Sequence, residues 1–403
     1  MKISRRRCLL WFCLALSLST VTDAKDAPKN NYLLFVGTYT GKESKGIYAY
    51  RFDAASSELT PLGLAAETTN PSFLAIDPSR RFLYAVNEVQ SYKGASSGAV
   101  SAFAIDRQTG KLSLLNEVPS RGADPCYISF DKTGKYVLVA NYTGGNVAVL
   151  PIAMDGRLEE PAAVLQDTGA LGPDKERQDA PHSHWIEASA HNRFVYVSDL
   201  GLDRVLIYRF DASKGALSKG EARSAAESSS AISNASGFFS ATLAPGTGPR
   251  HLAFSGNGNF MYVLGELDST VTVFVNDEKE KFRSLQRISA LPVGFSGHNT
   301  AAEIAIHPNG KYLYSSNRGH DSIALFSIDS KSGTLTLVEH VPSQGKTPRS
   351  FEIDPTGKFL LVANQDTSNI VVFRIDPNSG RLTQAGQSLH VPSPVCLKFM
   401  AVE

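Results

Sequence analysis

Cysteine is scarce, with four in 403 residues. Two of them, Cys8 and Cys13, fall within the first 24 positions. Only Cys126 and Cys396 remain in the body of the chain, which excludes a disulfide-dense scaffold. Net charge is almost absent, since 40 Lys and Arg face 39 Asp and Glu for a formal +1. That excludes a nucleic-acid binder working by bulk positive charge. No apolar run is long enough to span a bilayer, because the one near the N-terminus stops after about a dozen residues. Two catalytic signatures are missing as well. There is no Gly-x-Ser-x-Gly elbow and no glycine-rich phosphate loop opening a helix. With 42% hydrophobic and 20% charged residues, the chain is too apolar to be disordered and too polar to be a polytopic membrane protein.

The near-neutral sum hides an asymmetry. Lys2, Arg5, Arg6 and Arg7 stand in the first 24 residues against a single acid, Asp23, so the remainder is slightly acidic. Residues 4–24 read as a basic n-region, an apolar h-region to about Leu18 and a small-residue exit ending at Ala24. This predicts a secretory signal peptide over 1–24, with Sec and twin-arginine routes both open. Trp11-Phe12-Cys13 lacks the small residues a lipoprotein site needs. The expected location is periplasmic or secreted, with no stable membrane insertion once the signal is cleaved.

The rest of the chain, 25–403, reads as one repeat. A Pro or its stand-in opens a short apolar strand, a polar turn follows, and a second strand closes on a polar residue 16 positions after the start. The copies run from Pro71 to Asn87, Pro125 to Asn141, Ser183 to Asp199, Pro249 to Gly265, Ala301 to Asn317 and Pro348 to Asn364. Their closing residues lie 54, 58, 66, 52 and 47 positions apart. A period of about 50 residues with four short strands per unit predicts an all-β, seven-bladed β-propeller with four-stranded antiparallel blades. The seventh blade is split: Pro394-Val-Cys-Leu-Lys-Phe supplies its innermost strand, and the segments from Tyr32 and Gly46 supply later ones. N- and C-terminal strands sharing one blade leave the ring no free edge. Cys126 and Cys396 then fall in different blades on opposite strand parities, which predicts two buried free thiols. The long Ser- and Ala-rich stretch 214–248 reads as a surface loop connecting blades.

In such a ring, residues just after each start and just beyond each closing position gather at one mouth of the central channel. The first start column holds His184, Arg250 and Arg349, and the second holds His251 and Glu303. Asp199 and Asn364 stand in the closing column, with Glu88, Tyr142, Glu266 and Arg318 just beyond it. Converging arginines predict an anion site, because guanidinium offers a planar fork to carboxylate or phosphate. The closing Asn residues also fit a purely structural tie from side-chain amide to backbone. Glu303 fits either an ion pair with a neighbouring Arg or a functional acid. His182-Ser-His184 has the spacing of two metal ligands, yet no third ligand follows at a familiar interval. A structural histidine and an acid–base histidine both remain open there.

The segments Leu34-Phe-Val-Gly-Thr-Tyr-Thr, Asn70-Pro-Ser-Phe-Leu, Val139-Ala-Asn-Tyr, Pro181-His-Ser-His, Gly248-Pro-Arg-His-Leu-Ala-Phe, Ser316-Asn-Arg-Gly and Thr347-Pro-Arg-Ser-Phe carry a resemblance. Together they make residues 31–400 similar to the seven-bladed propeller lactonases of the cycloisomerase-2-type 6-phosphogluconolactonase family. The resemblance implies a lactone hydrolase that opens a sugar-acid lactone in a basic cleft. It matches His182 to the family's histidine, Arg250 and His251 to Gly-Pro-Arg-His, Glu303 to an acidic position, Arg318 to Asn-Arg-Gly and Arg349 to the last start motif. The expected catalytic set is therefore His182 or, second, Glu303 as base, with Arg250 and Arg318 for the oxyanion or a substrate anion. His184, His251, Arg349, Asp199 and Asn364 are the expected substrate contacts. The expected ligand is a small lactone or sugar acid, with no metal, no cofactor, no nucleic acid and a monomeric chain. An exported copy sits apart from a cytoplasmic phosphorylated lactone. A non-catalytic propeller binding a sugar acid or a protein partner, and a muconate-type cycloisomerase, are the alternative readings.

Overall fold

The computed structural model describes residues 31–219, 239–277 and 281–402. The expected signal peptide and the middle of the 214–248 stretch lie outside the described residues. Every helix or strand among those described is a strand. They form seven antiparallel sheets, and a separate small hairpin pairs Ser91–Tyr92 with Ala95–Ser96. In chain order, blade 1 covers residues 74–119, blade 2 125–166, blade 3 183–242, blade 4 249–289, blade 5 300–342 and blade 6 348–390. Blade 7 joins the innermost strand Pro394–Ala401 to Asn31–Thr38, Gly46–Asp53 and Glu58–Glu67. Innermost strands touch their neighbours in sequence, and Pro394–Ala401 meets both Pro348–Ile353 and Leu74–Ile76, so the ring closes.

The spacing of 16 in the sequence is a strand register in the structure. Pro125 pairs with Asn141, Ser183 with Asp199, Pro249 with Gly265, Ala301 with Asn317 and Pro348 with Asn364. Immediately after the start, the register slips in all five of these pairs. Blade 7 slips between Gly37 and Thr38. A bulge leaves extra residues outside the ladder and re-aims their side chains. The displaced residues are Cys126, His184, Arg250, His251, Ala302, Glu303, Arg349 and Val395, so the bulges fall where the start columns carry their chemistry.

Turn chemistry at the opposite end is repetitive too. Asp131 Oδ1 accepts the N–H groups of Lys135 and Tyr136, both at 2.9 Å, while Oδ2 accepts that of Thr133 at 3.0 Å. Asp354 repeats this pattern with Lys358, Phe359 and Thr356. A carboxylate satisfying three turn amides explains why Asp leads these turns. The second strand of each blade is nearly all buried, as in Phe359–Asn364, because both faces are covered by neighbouring blades. Apolar clusters lie between blades: Leu138, Val149, Val197 and Tyr208 join blades 2 and 3, and Tyr262, Val273, Leu313 and Phe326 join blades 4 and 5. Each such side chain contributes roughly 1.5–3 kcal/mol by leaving water. Tyrosine hydroxyls add polar ties between blades, donating from Tyr262 to Gly333 O at 3.0 Å and from Tyr314 to Gly380 O at 2.7 Å.

Cys126 and Cys396 are buried free thiols, as expected. The 214–248 stretch is placed differently from its expectation. Ala216–Lys219 and Phe239–Thr242 both pair with Arg204–Asp211, so both flanks belong to the outer edge of blade 3, and only 243–248 lead on to blade 4. Both flanks carry strand-forming residues that find the same unpaired edge, a long-range outcome that composition does not encode.

Candidate active site

Glu266 is the electrostatic centre of the mouth. It follows the closing Gly265 of blade 4 and is only 4% exposed. Its Oε2 lies 3.1 Å from Arg250 Nε and 3.1 Å from Arg318 Nη2, and its Oε1 accepts from Arg177 Nη2 at 2.6 Å. His184 Nε2 stands 3.9 Å away. Burial opposes the carboxylate, but Arg318, Arg250, His184 and Arg177 outweigh it and hold its pKa far below the usual range. The arginines are committed further. Arg250 Nη1 donates to Ala302 O, and Arg318 donates to Thr300 O and Ala301 O. Burial lowers Arg318 to about 10, so it stays charged at neutral pH. Two expected catalytic arginines are therefore committed to this network, although Arg250 Nε, 3.1 Å from Glu266, is buried without a hydrogen-bond partner.

Beneath this network, His251 and Glu303 form a pair. His251 Nδ1 is 2.8 Å from Glu303 Oε1, and His251 Nε2 is 3.3 Å from Arg250 Nη1. Arg can only donate, so the imidazole accepts at Nε2 and donates from Nδ1. Burial, then Arg250 and Arg349, push the His251 pKa well down and keep the ring neutral. Burial pushes Glu303 up to about 7, with Arg250 and Lys398 pulling the other way. The backbone N–H groups of Glu303 and Ile304 are held by Ser316 Oγ and Glu303 Oε1, at 3.0 and 3.1 Å. A positioned carboxyl titrating near neutrality has the chemistry of a general base.

His182 sits at the same mouth but is occupied. Its ring stacks on Tyr142 at 4.5 Å, Nδ1 donates to Tyr142 O at 3.0 Å, and Nε2 faces Asp179 Oδ1 at 3.0 Å. His184 is neutral, its pKa driven well down by burial and by Arg250, and it lies between Cys126 and Glu266. The two histidines thus have separate partners. Among the described residues, no three His, Cys, Asp or Glu side chains gather as a metal site.

Asp199 and Asn364, expected as substrate contacts, hold backbone groups of the fold. Both are fully buried. Asp199 Oδ1 accepts the N–H groups of His182 and Leu202, each at 3.0 Å, so it shapes the histidine turn from behind. Asn364 Nδ2 donates to Ser343 O at 3.0 Å, and Asn141 and Asn317 make the same tie to Ser120 O and Ala290 O. Strand-end position alone placed these residues near the mouth; the recurring demand of a buried backbone carbonyl uses them inside the fold.

Arg349 behaves unlike the other arginines. Its guanidinium carbon lies 5.3 Å from the Tyr39 ring centroid. Among the described residues it makes no side-chain hydrogen bond or ion pair. Tyr39 in turn donates to Glu88 Oε1 at 2.9 Å. Burial works against the Arg349 charge, but Tyr39, Glu88 and Glu266 hold its pKa up. Tyr39, Glu266, Glu88 and Arg177 were missed as site residues in the sequence. Glu266 and Glu88 stand in the column beyond the closing position. Arg177 comes from the connection between blades 2 and 3, whose path no periodicity fixes. Two cavities of about 420 and 710 Å³ lie at the other face, among the turns that join first and second strands.

The family described as "Lactonase, 7-bladed beta-propeller" matches residues 33–399. The chain belongs to this lactonase family. Its relatives include a Bacillus subtilis 6-phosphogluconolactonase, 36% identical over 370 residues, covering 92% of this chain and 98% of that protein. A Formosa agariphila 6-phosphogluconolactonase is 34% identical over 323 residues, covering 79% and 85%. Among solved structures, the periplasmic gluconolactonase of Pseudomonas aeruginosa superposes with a TM-score of 0.83 at 35% identity, covering 93% of this chain and 100% of that one. At this mouth the Arg349 charge acts on both Glu303 and Glu266.

Proposed function

We propose that this chain hydrolyses a sugar-acid lactone at the Glu266 mouth, with Glu303 as the general base. The observation that carries this is the Glu303–His251 pair, 2.8 Å apart and set beneath a rim of arginines. Glu303 takes a proton from water as the oxygen attacks the lactone carbonyl. His251, donating from Nδ1, fixes the carboxylate. Arg349, which among the described residues makes no side-chain hydrogen bond or ion pair, meets the oxyanion as it forms. Collapse breaks the ring C–O bond, and the proton on Glu303 passes to the departing alkoxide. Arg250, Arg318 and Arg177 are positioned by Glu266 and supply a fixed positive field. His182 orients the rim. This reading moves the base from His182 to Glu303, because both His182 ring nitrogens already face oxygen atoms of Tyr142 and Asp179.

Hydrolysis of phosphorylated and unphosphorylated lactones by pH-stat, with product analysis, tests the reading. Retention of wild-type kcat by Glu303→Gln would sink the base assignment. A ring-opened product without added water would favour a cycloisomerase. No turnover, together with ligand-induced thermal stabilisation, would favour a binding protein. We also propose that the protein works outside the cytoplasm, supported by the pattern of residues 1–24 and by the periplasmic relative. Fractionation with mass measurement of the mature chain tests this.

A further inference from the structure

The side of the mouth formed by blades 6, 7 and 1 holds polar atoms that nothing in the fold uses. Among the described residues, Ser72 Oγ and Glu88 Oε2 are buried without a hydrogen-bond partner. Ser72 itself is 4% exposed. The Arg349 guanidinium lies over Tyr39, whose hydroxyl holds the other oxygen of Glu88. A native structure seldom leaves such groups unpaired, and the exceptions call for an explanation such as a ligand.

Ser72 and Glu88 are held in place by one residue. Asn70, at a left-handed φ of 42°, accepts at its backbone oxygen from Ser72 N at 2.7 Å and from Glu88 N at 3.0 Å. Its Nδ2 donates to Glu88 O at 3.1 Å, and its Oδ1 accepts from both the N–H and the hydroxyl of Thr40, each at 2.9 Å. Tyr39 is tied from its own N–H to Ser393 O at 3.1 Å. The supports are hydrogen-bonded, while Ser72 Oγ and Glu88 Oε2 stay open. That is the arrangement of a preorganised recognition site.

We propose that Tyr39, Ser72, Glu88 and Arg349 form a subsite for the hydroxyl-bearing carbon next to the lactone carbonyl. The inference rests on the lactonase reading above and assigns, within that same mouth, the residues that would recognise the 2-hydroxyl common to aldonolactones. The ligand must offer both a donor and an acceptor. Glu88 Oε2 needs a donor, which a hydroxyl supplies and a phosphate dianion does not. Ser72 Oγ can donate to the same hydroxyl oxygen. Arg349 donates to the carbonyl beside it. A plain lactone leaves the Glu88 and Ser72 atoms unpaired, and sites built to bind a hydroxyl reject the analogue lacking it.

The test compares an aldono-1,5-lactone with its 2-deoxy counterpart, each rate divided by its uncatalysed hydrolysis. The wild type is expected to favour the 2-hydroxy lactone by at least about 100-fold in kcat/KM. Glu88→Ala is expected to cut that preference below about 10-fold, Glu88→Gln to keep part of it and Ser72→Ala to lower it less. Thermal melting checks that the variants fold, and Ser72→Ala changes only one small atom if Glu88→Ala does not. If no lactone is turned over, calorimetric binding of gluconate against 2-deoxygluconate measures the same preference, so failure of the base reading stays distinguishable. A wild-type preference near unity, or one unchanged in both Glu88→Ala and Ser72→Ala, overturns the subsite.

Discussion

The two halves of the mouth are built from the same residue types to opposite ends. On blades 3 to 5, Arg250 and Arg318, joined by Arg177 from a connecting segment, converge on one buried carboxylate, and Arg250 and Arg318 also donate to backbone carbonyls. On blades 6, 7 and 1, Arg349 and Glu88 share only Tyr39. The first half has more charge and less to offer a ligand. What decides function at such a site is uncommitted donors and acceptors, because an ion cluster paired in a low-dielectric interior acts as a rigid part.

Removing the centre of the ion-paired half should have the largest effect. Glu266→Gln leaves three guanidinium groups beside a neutral amide. Breaking a buried pair from one side costs about 3–5 kcal/mol, so chemical unfolding should show a loss of that size. A loss under about 1 kcal/mol would erase the distinction between the halves.

Glu303→Gln comes next. It should lower kcat by roughly 10²–10⁴ while leaving the thermal midpoint near wild type or above it. The pH dependence follows from the raised Glu303 pKa, about 7 against an ordinary 4.5. Between these values the folded chain keeps a proton that the unfolded chain has lost, so stability falls as pH rises through that window. The loss by pH 8 is about 2–4 kcal/mol and should be absent in Glu303→Gln, measured by urea unfolding at pH 5 and pH 8. The kcat/KM of the wild type should rise with pH to a plateau above about 7.

Arg349→Ala should cost about 10² in kcat/KM yet within about 1 kcal/mol of stability, since no ion pair is lost. Arg318→Ala should invert that ratio, and steady-state kinetics beside denaturation curves would decide it. The smallest effect should come from Asn364→Ala, which removes one buried tie to Ser343 O, costing about 1–2 kcal/mol with kcat unchanged.

The fold was legible because a propeller writes itself as spacing. The 16-residue interval is a register, and all five intervals from Pro125 onward pair as read. Spacing also delivered Arg250, His251, Glu303 and Arg349 to one mouth. It could not tell which arginine was spent. Arg250 and Arg349 hold equivalent places, and only the packing of Glu266 beside the first separates them. Tyr39 escaped for a different reason. It lies just beyond Thr38, the closing residue of the split blade, whose partner Pro394 is at the other end of the chain. Asp199 and Asn364 looked like ligand contacts because a strand end near a mouth and a strand end tied behind it carry the same residue types.

The slipped register after each start has an evolutionary consequence. In an unbroken ladder, successive side chains alternate between faces, so a strand end brings one side chain to any given rim. The bulge frees the pair from that alternation, and blades 4 and 5 contribute Arg250 with His251 and Ala302 with Glu303. Chemistry at the rim can therefore change one codon at a time while the hydrogen-bonded body of the blade stays as it is. A ring with this joint in blade after blade can acquire new substrates without new loops, and its specificity can drift faster than its shape.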